Sequence, residues 1–148
     1  MKIIRTNSEN EDFIFLVNLL DLDLAKRDGD EHSFFVQFNK IDTIKHVVVA
    51  YENQTPVGCG AIKEFDIKTM EIKRMYTSAN SRGKGIASRI LSELETWTRE
   101  LSYKKCILET GIKQPEAIAL YNKNGYKLIP NYGQYKDVEN SRCFEKKL

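Results

Sequence analysis

The chain predicts an α/β fold: a mixed, mostly antiparallel sheet with helices on both faces. Three observations carry that expectation. Apolar, β-branched runs at 46–52 and 57–65 flank a short polar turn, as in an antiparallel hairpin. Residues 70–77 read as a third strand of that meander and pass through a glycine-containing turn into a helical stripe. A further strand-like run, 105–110, follows that helix, so an antiparallel front half meets a helix-connected back half.

The elements follow in order. Residues 2–6 read as a first strand, and Ser8, three residues ahead of Glu11, reads as a capping box before a helix beginning near Glu9. That helix repeats Phe13, Leu16, Val17, Leu20 and Leu24 on one face and fades at 27–30. Phe34, Phe35 and Phe38 punctuate a short second helix or loop. The hairpin strands are joined by Asn53-Gln54-Thr55-Pro56. In 70–77, Ile72, Arg74 and Tyr76 alternate against Lys73 and Met75. Ile86, Ile90, Leu91, Leu94, Trp97 and Leu101 then recur at helical spacing, a stripe suited to packing on a sheet. A last helix over 115–123 is bracketed by Pro115 at its first position and Asn124-Gly125 as its stop. Residues 126–129 and 143–147 complete the strands, with 131–140 a polar connection.

Composition bounds the function. At 148 residues, with 41% hydrophobic and 30% charged residues, the chain reads as one domain over 1–148 with a core of its own. A net charge of +2 is too balanced for nucleic-acid binding by bulk electrostatics. The longest apolar run, Val47-Val48-Val49-Ala50-Tyr51, is far short of a membrane span, and residues 1–6 lack a signal-peptide core, so a cytoplasmic protein is expected. Cys59, Cys106 and Cys143 are odd in number and widely spaced within strand-like stretches, which reads as buried packing and not as a disulfide framework or metal site. His32 and His46, the two histidines, are poorly placed to activate a thiol.

Chemistry concentrates at Arg82-Gly83-Lys84-Gly85-Ile86-Ala87, between the strand 70–77 and the helix that follows. The first N–H groups of a helix lack intrahelical partners and carry partial positive charge, so they receive phosphate oxygens. Gly83 and Gly85 let a ligand come close to the backbone, while Arg82 and Lys84 add cationic partners. The turn lacks the P-loop Gly-x-x-x-x-Gly-Lys-Ser/Thr spacing, which places nucleotide binding behind other readings.

Arg82-x-x-Gly85-x-Ala87 resembles the Arg/Gln-x-x-Gly-x-Gly/Ala signature of the GNAT N-acetyltransferase superfamily. Ala117-x-x-Leu120-Tyr121-x-x-x-Gly125-Tyr126 is similar to that family's penultimate helix and following strand. The resemblance spans nearly the whole chain and implies a GNAT-like acyl-CoA N-acyltransferase fold, with acetyl-CoA as cosubstrate and no metal. It implies that residues 82–87, Ile86 and Ala87 included, grip the pyrophosphate. It implies that the strands ending near Thr77 and Thr110 splay apart, with Met75, Tyr76 and Thr77 pairing with the pantetheine arm as an added strand would. Gln114, followed by Pro115, stands where some relatives place an asparagine contacting the cofactor.

Acetyl transfer to an amine needs a polarised thioester carbonyl, a base for the amine proton and an acid for the leaving thiolate. The resemblance implies a backbone N–H near Met75 for the first and Tyr121 for the acid, although Tyr121 also suits packing beside Ile118 and Leu120. A phenol near 10 and a thiol near 8.5 make that proton transfer uphill by only ~2 kcal/mol. Glu71 and Glu109 are both candidates for the base, and either also reads as a salt-bridged strand residue. The acceptor is a small-molecule or peptide amine with no readable code. Asp28, Asp30 and Glu31 suit a cationic acceptor or a solvated loop equally. A homodimer is compatible with the resemblance, and a non-catalytic acyl-CoA-binding module on the same fold is the alternative to an enzyme.

Overall fold

The computed structural model describes residues 1–28 and 43–148. Among them, seven strands form one sheet in the order β1-β2-β3-β4-β5-β7-β6. The strands are β1 Lys2–Thr6, β2 His46–Glu52, β3 Thr55–Asp66, β4 Thr69–Thr77, β5 Lys105–Gly111, β6 Lys127–Ile129 and β7 Ser141–Lys147. Each neighbouring pair is antiparallel except β4 and β5. That parallel step is bridged by helix α2, Ile86–Glu100, since parallel neighbours need a crossover. Helix α1, Glu11–Asp28, and helix α3, Pro115–Lys123, complete the frame. Phe34, Phe35, Phe38, His32, Asp30 and Glu31 lie outside the described residues.

The sheet is covered on both faces. Ile86, Ile90, Leu91 and Leu94 of α2 pack on Val48, Ala50, Ile62 and Ile72, in one cluster with Tyr121, Tyr126 and Phe144. On the other face Phe13, Leu16 and Val17 of α1 pack on Val47, Val49, Cys59 and Ala61. The continuous apolar run of β2 is thereby explained, because its alternate residues enter different cores. Each fully buried Leu or Ile side chain contributes roughly 1.5–3 kcal/mol. All three cysteines are free and buried. No described helix is long and apolar enough to cross a membrane.

Local chemistry moves several predicted boundaries. The α1 cap is Asn10, whose Oδ1 accepts the Phe13 N–H at 3.0 Å. Ser8 instead turns inward and accepts the Ile44 N–H at 2.9 Å, so the predicted capping box does not form. The hairpin turn is two residues long, Asn53 and Gln54 at φ 50 and 69, which lets β3 begin at Thr55. Helix α3 ends as the sequence predicts: Gly125 takes φ 87, its N–H reaches the Asn122 carbonyl, and the Tyr126 N–H reaches the Tyr121 carbonyl.

A bulge in β4 has the largest consequence. Cys59 pairs with Tyr76 and Ala61 with Lys73, so Arg74 and Met75 together oppose Gly60. Arg74 takes φ 60, a conformation costing on the order of 1–3 kcal/mol for a non-glycine residue. Its carbonyl accepts from the Cys59 thiol at 3.3 Å. Gly60 opposite leaves room for the bulge, since a Cβ there would lie 2.5 Å from Met75 Sδ and 2.9 Å from Leu94 Cδ1 and those side chains would have to shift. The predicted alternation therefore breaks: Met75 joins Ile72 on the α2 face, and Tyr76 packs on the α1 face.

Candidate active site

β4 and β5 are paired only at Thr69–Lys105, Met70–Cys106 and Glu71–Ile107. Beyond Glu71 they part, β4 staying with β3 and β5 with β7 as far as Gly111. A cleft of about 530 Å³ opens between them, walled also by α1, the start of α2 and α3. Among the described residues the edge of β4 that faces this cleft has no strand partner beyond Glu71, which leaves backbone groups for an extended ligand.

At one end of the cleft lies the turn between β4 and α2. Gly83 and Gly85 take φ 79 and 81, and a Cβ at either would meet nothing within 4 Å. Gly85 caps α2 with no side-chain hydrogen bond, leaving the first N–H groups of the helix for a ligand. Arg82 folds back: its Nε donates to the Thr77 carbonyl at 2.9 Å, and its guanidinium stands 3.8 Å from Asp23 Oδ2. Met75, Tyr76, Thr77, Arg82, Gly83, Gly85, Ile86, Ala87 and Gln114 all line the cleft. Lys84 does not; its Nζ lies 3.7 Å from Glu52 Oε1 on the outer side, because the left-handed glycines on either side turn it outward.

The three predicted catalytic side chains also line the cleft. Glu71 is buried at the last pair before the strands part, with Oε2 accepting from the Tyr132 hydroxyl at 2.6 Å and Oε1 3.7 Å from Lys73 Nζ. Glu109 accepts from the Ser141 hydroxyl at 2.7 Å. Tyr121 stands edge-on to Tyr126 at 5.7 Å and near Phe144. Burial, then the charge of Glu109, pushes the Tyr121 phenol well above its ordinary value. Burial and the nearby carboxylates do the same to Tyr132 and Tyr135.

Several lining residues have no local signal in the sequence. Tyr135 closes the wall from the 131–140 connection. Arg27, in the last turn of α1, makes a two-pronged ion pair with Glu116, in the first turn of α3, at 2.5 and 3.1 Å. The first sits in what reads as a polar connection, and the second joins residues 89 apart.

A sequence profile of the Acetyltransferase (GNAT) family matches residues 13–126, and the chain belongs to that family. An uncharacterized N-acetyltransferase of Bacillus subtilis, YsnE, is 35% identical over 67% of each chain. An IAA acetyltransferase of Azospirillum brasilense is 36% identical over 68% of this chain and 67% of its own. Among solved structures, a Klebsiella pneumoniae protein assigned as an acyl-CoA N-acyltransferase superposes with TM-score 0.84 and 29% identity, covering 99% and 97% of the two chains. The fold recurs in the PaiA N-acetyltransferase of Thermoplasma acidophilum solved with coenzyme A, with TM-score 0.72, 18% identity and full coverage of both chains.

Proposed function

We propose that this protein transfers an acetyl group from acetyl-CoA to an amine by direct attack within a ternary complex. The observation that carries the reading is the open edge of β4 running from Glu71 toward a helix start that Gly85 caps without a side-chain hydrogen bond. A diphosphate fits the helix start, and a pantetheine amide chain fits the strand edge. Arg82 exchanges its intramolecular partners for the diphosphate.

In the chemical step the amine nitrogen bonds to the thioester carbon, with the carbonyl oxygen held by backbone N–H near Met75. The C–S bond then breaks, the sulfur takes the Tyr121 proton, and Glu71 collects the proton lost by the amine, directly or through a water. The products are an N-acetyl amide and free CoA thiol. Glu71 is favoured over Glu109 as base because it sits where the strands part, while the charge of Glu109 helps keep Tyr121 protonated. Burial raises the phenol but also raises the basicity of a thiolate in the same cleft, so the transfer does not become prohibitive.

The test is thiol release from acetyl-CoA with a panel of tyramine, lysine, spermidine and a glycyl peptide. Turnover on at least one amine, lowered about a hundredfold or more by Tyr121→Phe, is expected. Saturable CoA binding with no turnover on any amine would support a non-catalytic acyl-CoA-binding module instead.

A further inference from the structure

We infer that Tyr132 is a positioning residue that sets the orientation of the Glu71 carboxylate for proton collection. The assignment rests on the reading of Glu71 as base.

Glu71 has two oxygens in different surroundings. Oε2 accepts the Tyr132 hydroxyl at 2.6 Å, within the range of charge-assisted hydrogen bonds, and Oε1 lies 3.7 Å from Lys73 Nζ. A carboxylate gripped at one oxygen cannot spin, so Oε1 is the oxygen presented for a proton.

Tyr132 can hold that grip because it is itself held. Its ring stands edge-on to Phe65 at 5.2 Å and to Tyr135 at 5.9 Å. Burial and the Glu71 charge drive its phenol far above its ordinary value, so it stays a donor at any working pH. Tyr132 does not line the cleft, whereas Glu71 and Tyr135 do; it acts from behind the carboxylate. Tyr132 opens the short turn Gly133–Tyr135, so one small element supplies both the wall of the cleft and the buttress of the base. A fixed carboxylate loses less entropy when it accepts a proton in a defined direction.

The experiment compares wild type, Tyr132→Phe, Glu71→Gln and the double variant, using whichever amine of the panel turns over fastest. Phenylalanine keeps the aromatic contacts and removes only the hydroxyl. The expected result is a kcat about tenfold lower in Tyr132→Phe, with KM for acetyl-CoA within twofold. In the Glu71→Gln background the second substitution has no further effect. A Tyr132→Phe kcat within twofold of wild type, or losses that multiply fully in the double variant, would overturn the assignment while leaving Glu71 as base. An unimpaired Glu71→Gln enzyme would instead overturn the base reading, and Tyr132 would have nothing to act through. If no amine turns over, the same four proteins are compared in acetyl-CoA hydrolysis, and absence of that activity too overturns both.

Discussion

Glu95 brings a carboxylate into the core at 6% exposure, where it accepts from the Tyr126 hydroxyl at 2.9 Å and from Lys146 Nζ at 3.0 Å. Removing one partner of a buried pair strands the other charge, at a cost of roughly 3–5 kcal/mol when burial is complete. Lys146 is 26% exposed, so Lys146→Met is expected near the lower end, about 3 kcal/mol, read from urea unfolding. Adding Glu95→Gln to it should recover part of that loss, and a double variant no better than the single would show that the pair is not what matters. His46 makes a pH-dependent contribution. It opens β2 edge-on to Trp97 at 4.8 Å, and burial followed by the Lys45 charge lowers its pKa. Below the ordinary value of about 6.5 the unfolded chain binds a proton that the folded one resists, so stability falls as pH drops through that window toward the lowered value. Thermal midpoints at pH 7.5 and 5.5 are expected to differ by less in His46→Phe than in wild type, and an identical pH response in the two would remove His46 as a cause.

The Arg27–Glu116 ion pair spans the cleft between the end of α1 and the start of α3. Arg27 holds the Glu116 carboxyl below its ordinary range, so the pair is intact at neutral pH and is lost only as pH falls through that lowered value. Exposed pairs of this kind add little to stability, but one that crosses a binding cleft limits the traffic through it. Arg27→Ala is expected to speed CoA dissociation severalfold in stopped flow. The charge-reversed pair Arg27→Glu/Glu116→Arg should restore the slow rate, and unchanged release in Arg27→Ala would remove the strap. Elements of this kind show where legibility in the sequence ends. Strands and helices were readable because alternation and 3.6-residue periodicity report burial locally. The glycine turn was readable because Gly83 and Gly85 answer a backbone need that no other residue meets as well. The bulge was not, because Met75 packs into room left by the missing side chain of Gly60, on another strand. Nor were the Ser8 and Asn10 roles separable, since Ser8 is claimed by Ile44, 36 residues away. The Tyr132–Glu71 contact, across 61 residues, has no local signature at all.

The sheet is two halves joined through only three parallel register pairs, with α2 as the covalent crossover. A ligand that lies along β4, meets the α2 start and touches α3 bridges both halves and binds only where they are assembled. It must therefore stabilise the native state as a whole, by RT ln(1 + [L]/Kd), about 2.7 kcal/mol at a hundredfold excess over Kd. For a chain of 148 residues that corresponds to a rise in Tm of roughly 5–10 °C with acetyl-CoA or CoA. ATP carries phosphates but no pantetheine chain for the open strand edge, so its shift at equal concentration is expected to be small. Hydrogen exchange should locate the effect, with added protection on amides 73–77 and at the first turn of α2. Gly85→Trp tests the phosphate end: a side chain forced to φ 81 strains the turn and fills the space above it. That variant melts lower on its own account, so the ligand-induced shift is compared and not the absolute midpoint. Loss of the shift in Gly85→Trp, with the protection of 73–77 gone, is the expected result. A full shift in that variant, or an equal shift from ATP, would place the ligand elsewhere and withdraw the cofactor route on which the catalytic assignments depend.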